Sequence, residues 1–310
     1  MSPVADKPAE GLADDTDSEA TAADWRFARL QRWLPRQTLT QAAGWLAGWQ
    51  AGSLSTAAIT RFVQRYGVDM AEAAEPDPSR YATFNDFFTR ALRPGARPLA
   101  DAPWLCPVDG SISRFGPIDG ERIVQAKGHG YTVRALVGGD PALAEPFAGG
   151  HFATLYLSPR DYHRIHMPCA GRLRRMIHVP GDLYSVNPST ARTVPGLFAR
   201  NERVVCVFDG EGPSAGPWVL VLVGATIVGS MATVWHGVVN PPRPGRVRDW
   251  RYDDRVVRLE RGQEMGRFLL GSTVVLLFPP GPMAFHPEWR PGGAVRMGQA
   301  MATAMPTRAG

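Results

Sequence analysis

The stretch VLVLVGATIV at residues 219–228 has a counterpart downstream in STVVLLF at 272–278. Both runs are short, rich in β-branched residues and bounded by Gly or Pro, which is how strands read. Residues 217–235 carry no charge and are long enough to imitate a membrane span. Gly224, Thr226, Gly229, Ser230 and Thr233 divide them instead into two pieces of strand length. The same texture holds from Pro94 onward, so this part of the chain is expected to be built of strands.

Toward the N-terminus the period changes. Trp25, Leu30, Trp33 and Leu34, then Trp45, Leu46 and Trp49, recur at helical spacing among Arg26, Arg29, Arg32 and Arg36, predicting two or three short amphipathic helices. Tryptophan beside arginine suits a helix lying in a membrane interface, the ring at headgroup depth and the cation near lipid phosphate. A helical cap packed on the main domain is the other reading, and the two are compatible. Residues 1–24 hold seven acids against the one base Lys7, a local charge of −6, with Leu12 as their large apolar residue apart from Met1 and Val4. They are expected to form a disordered acidic tail.

The chain has 310 residues and is 44% hydrophobic, enough for one large core with an appendage. Its net charge of +5 becomes +11 once the tail is set aside, which suits nucleic acid, an anionic membrane surface or solubility alike. Cys106, Cys169 and Cys206 are odd in number and far apart, so neither a disulfide framework nor a CxxC metal cluster is expected. A reducing setting fits this pattern. The N-terminus lacks the basic start and apolar run of a secretory signal.

Phosphate loops, the dinucleotide GxGxxG and HExxH are absent. A GxSxG does occur at residues 212–216, around Ser214, but Pro217 and a strand follow it where a nucleophile elbow needs a helix. The segment SPRDYHRIHMP at 158–168 is more unusual, with Arg160, Asp161, His163, Arg164 and His166 set between two prolines. His163 and His166 could be an acid/base pair, structural histidines or metal ligands, the last needing partners such as His129 or His151. Gly271-Ser272 opens the second strand-like run. An unhindered Gly carbonyl before a serine can be attacked by that serine's hydroxyl if a base removes its proton, turning the peptide into an ester.

Taken together these residues resemble the bacterial phosphatidylserine decarboxylases, from about Tyr81 to Ala302. The resemblance is carried, in order, by FNDFFTRALRPGARPL at 84–99, CPVDGSI at 106–112, KGHGYTV at 127–133, YLSPRDYHRIHMPCAG at 156–171, PGDLYSVN at 180–187, LFARNERVV at 197–205, VGATIVGS at 223–230, FLLGSTVVLLFPPG at 268–281 and VRMGQ at 295–299.

The resemblance implies an α+β protein, with N-terminal amphipathic helices before a mainly antiparallel β catalytic domain. The expected boundaries are a tail over 1–24, a helical membrane-associating segment over 25–80 and a catalytic domain over 81–310. It implies that Asp109, His166 and Ser272 form a charge-relay set for self-cleavage between Gly271 and Ser272, giving chains 1–271 and 272–310 that stay together as a heterodimer or within a higher oligomer. Ser272 would become a pyruvoyl group, the covalent cofactor, which forms a Schiff base with the substrate amine; no metal is expected. His163 is the candidate proton donor, and Arg160 or Arg164 the candidates to hold the lipid phosphodiester. The implied partners are phosphatidylserine and an anionic membrane surface, not nucleic acid, with the protein peripheral on the cytoplasmic face of the cell membrane. A pyruvoyl decarboxylase of a soluble amino acid and an inactive lipid-binding homologue are the alternatives.

Overall fold

The computed structural model describes residues 19–226, 230–243, 245–269 and 272–304. Three helices come first, α1 (Ala22–Trp33), α2 (Arg36–Ala47) and α3 (Ser53–Tyr66), and a one-turn helix α4 (Phe84–Phe88) follows. The expected tail therefore ends before Asp24. Thr21 and Asp24 form a capping box at the start of α1, each side chain accepting the other's backbone N–H, and buried Asp24 pairs with Arg192 at 3.1 Å. Composition alone did not reveal these ordering contacts. Residues 1–18 lie outside the described residues.

α1 docks on the body through polar groups. Gln31 donates to Thr190 at 3.0 Å and accepts from the Ser185 N–H at 2.8 Å, and Arg36 just beyond the helix pairs with Asp182 at 3.2 Å. Its large apolar residues face outward: Trp25, Phe27 and Leu30 are exposed and Trp33 is 86% exposed, as are Trp45, Leu46 and Trp49 around α2. No described helix is long and apolar enough to cross a membrane. α3 turns its inner face, Ile59, Phe62 and Val63, onto Phe84, Phe87 and Phe88.

The strands, in chain order, are β1 (Trp104–Leu105), β2 (Gly110–Pro117), β3 (Arg122–Ala126), β4 (His129–Thr132), β5 (His151–Leu157), β6 (Arg164–His166), β7 (Gly171–Val179), β8 (Arg203–Gly210), β9 (Gly216–Val223), β10 (Met231–Thr233), β11 (Gly237–Asn240), β12 (Arg248–Arg251), β13 (Arg258–Leu259), β14 (Glu264–Phe268), β15 (Ser272–Phe278), β16 (Met283–Phe285), β17 (Ala294–Val295) and β18 (Ala300–Ala304). The main sheet runs β12-β7-β8-β9-β15-β5-β2-β17, with β13 also on β7. A second sheet, β11-β10-β14-β6, a third, β1-β18-β16, and the ribbon β3-β4 complete the molecule, and every pairing between these strands is antiparallel. This is the expected α+β arrangement.

The charge-free run is explained by burial on both faces. Leu220 and Leu222 of β9 pack with Val274, Leu276, Leu155 and Trp218 on one side of the sheet. Val219, Val221 and Val223 pack with Val275, Leu277 and Phe152 on the other. Side chains alternate along a strand, so a strand covered on both sides needs apolar residues at every position.

Candidate active site

One end of the main sheet gathers the segments that carry the candidate residues. Ser111 of β2 pairs with Tyr156 of β5, Tyr156 pairs with Thr273 of β15, and Leu157 pairs with Ser272. Asp109 thus leads into β2, the SPRDYHRIHMP segment leaves β5, and Ser272 opens β15, on three successive strands about 4.8 Å apart. Gly110 is needed for this approach, because a Cβ there would collide with the Tyr156 carbonyl oxygen. Gly271 lies outside the described residues, and Ser272 is described by its backbone.

The histidine segment is clamped from two sides. The His166 N–H donates to the Pro107 carbonyl at 2.9 Å, two residues before Asp109. On its other side β6 pairs with β14, and the Phe268 N–H donates to the His163 carbonyl at 3.0 Å, close to the Gly271-Ser272 bond in sequence.

Both imidazoles have a defined tautomer. His166 Nδ1 lies 2.8 Å from the Gly262 carbonyl oxygen, which can only accept, so Nδ1 carries the proton and Nε2 is left bare. The Tyr162 hydroxyl donates to that Nε2 at 3.0 Å. His163 repeats the pattern, with Nδ1 2.8 Å from the Asp161 carbonyl, but its buried Nε2 has no partner among the described residues. The His163 ring lies 4.1 Å from the Phe88 ring and is wholly buried. Burial lowers the pKa of both, that of His163 to about 3, with the nearby Arg90 charge adding to the effect.

Asp109 is brought to the site but held differently from a triad carboxylate. Arg97 Nε lies 3.0 and 3.1 Å from its two oxygens, and the Met297 N–H donates to Oδ1 at 2.9 Å. Glu72 in turn ties Arg97 at 2.6 Å and Arg296 at 2.9 Å. Asp109 is bonded to Arg97 and Met297 and not to His166; the Gly262 carbonyl fixes the imidazole, while the Glu264 charge and, less, that of Asp109 favour its protonated form.

The two candidate phosphodiester arginines are differently disposed. Arg164 is committed to Glu264 at 2.9 Å and to the Thr89 carbonyl at 2.8 Å. Arg160 is exposed, with the Asp161 carboxylate 4.0 Å from its Nε. The sequence reading missed Arg90, a 4% exposed residue whose Nη2 donates to the Arg160 carbonyl at 3.2 Å while Nε and Nη1 have no partner among the described residues. Its signal was a cation two residues after the aromatic run FNDFF. Tyr162, Gly262 and Arg97 were likewise unassigned. Ser214 is no nucleophile: buried, it donates to the Pro103 carbonyl at 3.0 Å, and a strand follows it. The three cysteines are free and buried, and burial pushes the Cys106 and Cys169 thiols up to about 12.

A family model described as phosphatidylserine decarboxylase matches residues 84–303, and another, described as PSD, matches residues 26–67. Similar proteins include one of Methylibium petroleiphilum, 70% identical over 275 residues, covering 89% of this chain and 96% of the relative. One of Azoarcus sp. is 69% identical over 277 residues (89% and 95%), and one of Delftia acidovorans 67% identical over 279 (89% and 97%). Each bears the name phosphatidylserine decarboxylase proenzyme. With a family model spanning the strands and both histidines, and relatives alike over almost their whole length, the chain belongs to the phosphatidylserine decarboxylase family.

Proposed function

We propose that this decarboxylase converts phosphatidylserine to phosphatidylethanolamine and CO2, using a pyruvoyl group made from its own Ser272. The observation that carries the reading is the meeting of the Asp109, His166 and Ser272 segments on three successive strands, with a bare imidazole nitrogen on His166. The name proenzyme borne by the relatives supports self-processing.

For self-cleavage, His166 Nε2 takes the Ser272 hydroxyl proton, which requires Tyr162 to yield its hydrogen bond. The serine oxygen bonds to the Gly271 carbonyl carbon and the peptide C–N bond breaks, leaving an ester and a free amine. Loss of the Cα proton then breaks the ester C–O bond, releasing a chain that ends in the Gly271 carboxylate. Water adds to the remaining enamine, and ammonia leaves. Asp109 supplies negative charge near the imidazolium, and Gly262 holds the ring.

The site's chemistry fits the group: a serine opens β15 and a bare, buried imidazole nitrogen stands unpartnered nearby in His163. When formed, the pyruvoyl carbonyl gives the substrate amine an acceptor for the electrons left behind by CO2. His163, unprotonated at rest, takes a proton from the substrate ammonium and returns one to the carbon that has lost CO2. Its burial beside Phe88 keeps water away.

The outward Trp and Leu side chains of α1 and α2, beside exposed Arg26 and Arg29, support peripheral attachment to an anionic membrane at its cytoplasmic face, where the substrate lies. The two chains remain together as a heterodimer. The test is intact mass with a lipid assay: the wild type is expected to give two species divided at Gly271, the smaller lacking one ammonia relative to a serine-ended fragment, and to decarboxylate phosphatidylserine. Ser272→Ala is expected to stay one inactive chain. A cut chain from that variant would refute the cofactor assignment.

A further inference from the structure

Arg90 is a buried cation without a counter-ion among the described residues. Its guanidinium lies 5.3 Å from the Phe87 ring and makes one hydrogen bond, to a backbone carbonyl. The nearby carboxylates are both engaged elsewhere: Asp109 by Arg97 and Met297, Asp161 by the Ser158 N–H at 2.6 Å. Tyr81 and Tyr162 also face it, and neither bonds it. An uncompensated buried charge is among the most destabilising features a fold can carry, and the idle donors of Nε and Nη1 add to the penalty. The Nε N–H and one Nη2 N–H point the same way, a fork that fits two oxygens of one oxyanion once Nη2 gives up the Arg160 carbonyl.

We infer that Arg90 is a substrate-binding residue whose guanidinium takes the phosphodiester oxygens of the glycerophospholipid headgroup. The inference rests on the phosphatidylserine reading above. Two arguments favour the phosphodiester over the substrate carboxylate. A carboxylate that must leave as neutral CO2 would be bound more tightly in the ground state than in the transition state if it sat on a guanidinium, slowing the reaction. Arg90 also lies two residues beyond α4, which packs on α3 in the helical part of the molecule, and the phosphodiester is the part of the headgroup nearest the acyl chains. An anion there would cancel the positive field that disfavours a proton on the neighbouring His163. The turn Ser158–Asp161, closed by the Asp161 N–H on the Ser158 carbonyl at 3.0 Å, has to shift to admit the headgroup.

The test uses matured protein and two soluble headgroups, glycerophosphoserine and glycerophosphoethanolamine, titrated calorimetrically. Both should bind wild type; Arg90→Met should weaken both by roughly 30-fold or more, with Arg90→Lys between. Arg90→Met should still self-cleave and should melt no lower than wild type, because it removes an unpaired buried charge. Unchanged affinities, or a lower Tm with unchanged binding by both variants, would overturn the inference. Loss of glycerophosphoserine binding alone would overturn it in favour of the carboxylate. If wild type neither matures nor decarboxylates phosphatidylserine, the proposed function itself fails; a wild type that does both beside an indifferent Arg90→Met sinks this inference only.

Discussion

Two histidines three positions apart share a tautomer and differ in what faces the bare nitrogen, and this separates their roles. His166 Nε2 already accepts a hydroxyl, from Tyr162, whereas His163 Nε2 faces no donor and is closed to solvent. His166→Ala is therefore expected to slow self-cleavage by about 100- to 10,000-fold, as removal of a general base does. His163→Ala should still mature, seen as two masses, while losing decarboxylation; an uncut His163→Ala chain would move His163 into the first reaction. The same maturation assay run against pH carries a sign. Burial holds the His166 pKa below its ordinary 6.5, so the base-competent neutral form persists as pH falls through that value, and the rate should decline only in more acid solution. A decline centred above 6.5 would contradict the assignment.

At the level of elements, α1 is an amphipathic helix mounted with its polar side inward, since Asp24 and Gln31 make the docking contacts while Trp25, Leu30 and Trp33 face out. Replacing Trp33 and Trp45 by Glu should weaken co-sedimentation with phosphatidylserine-containing vesicles by on the order of 2 kcal/mol per ring and leave Tm nearly unchanged, as for exposed positions generally. Unaltered sedimentation would remove these helices from membrane attachment. The helices themselves were legible in the Trp and Arg spacing, and the central strands in VLVLV and STVVLLF, because a strand buried on both faces leaves an unbroken apolar run. Which way α1 faces was not legible, for it depends on partners more than 150 residues away, such as Thr190 and Arg192. The site was legible as a set of segments and not as a set of bonds. Asp109 reads as a triad acid in sequence, yet its oxygens are held by Arg97 and Met297, groups that only the tertiary fold brings together. Arg90 went unassigned for a like reason, since a lone arginine in a sequence does not show that it is buried without a counter-ion.

Across the whole molecule, the Glu72, Arg97, Asp109 and Arg296 cluster ties the helical part, the strand body and the segment beyond the proposed cut into one charged knot. The position of β15 extends that theme. It lies inside the main sheet, laddered to β9 on one side and β5 on the other, and the same downstream piece contributes β16, β17 and β18, the last two paired to β2 and β1. A chain divided just before β15 thus keeps its severed piece as an interior strand and cannot shed it without coming apart. Unfolding of the matured protein then yields two molecules from one, so mass action enters: its melting midpoint should climb with protein concentration, whereas that of uncut Ser272→Ala should not. Dilution, harmless to the precursor, becomes a slow solvent of the mature enzyme's stability.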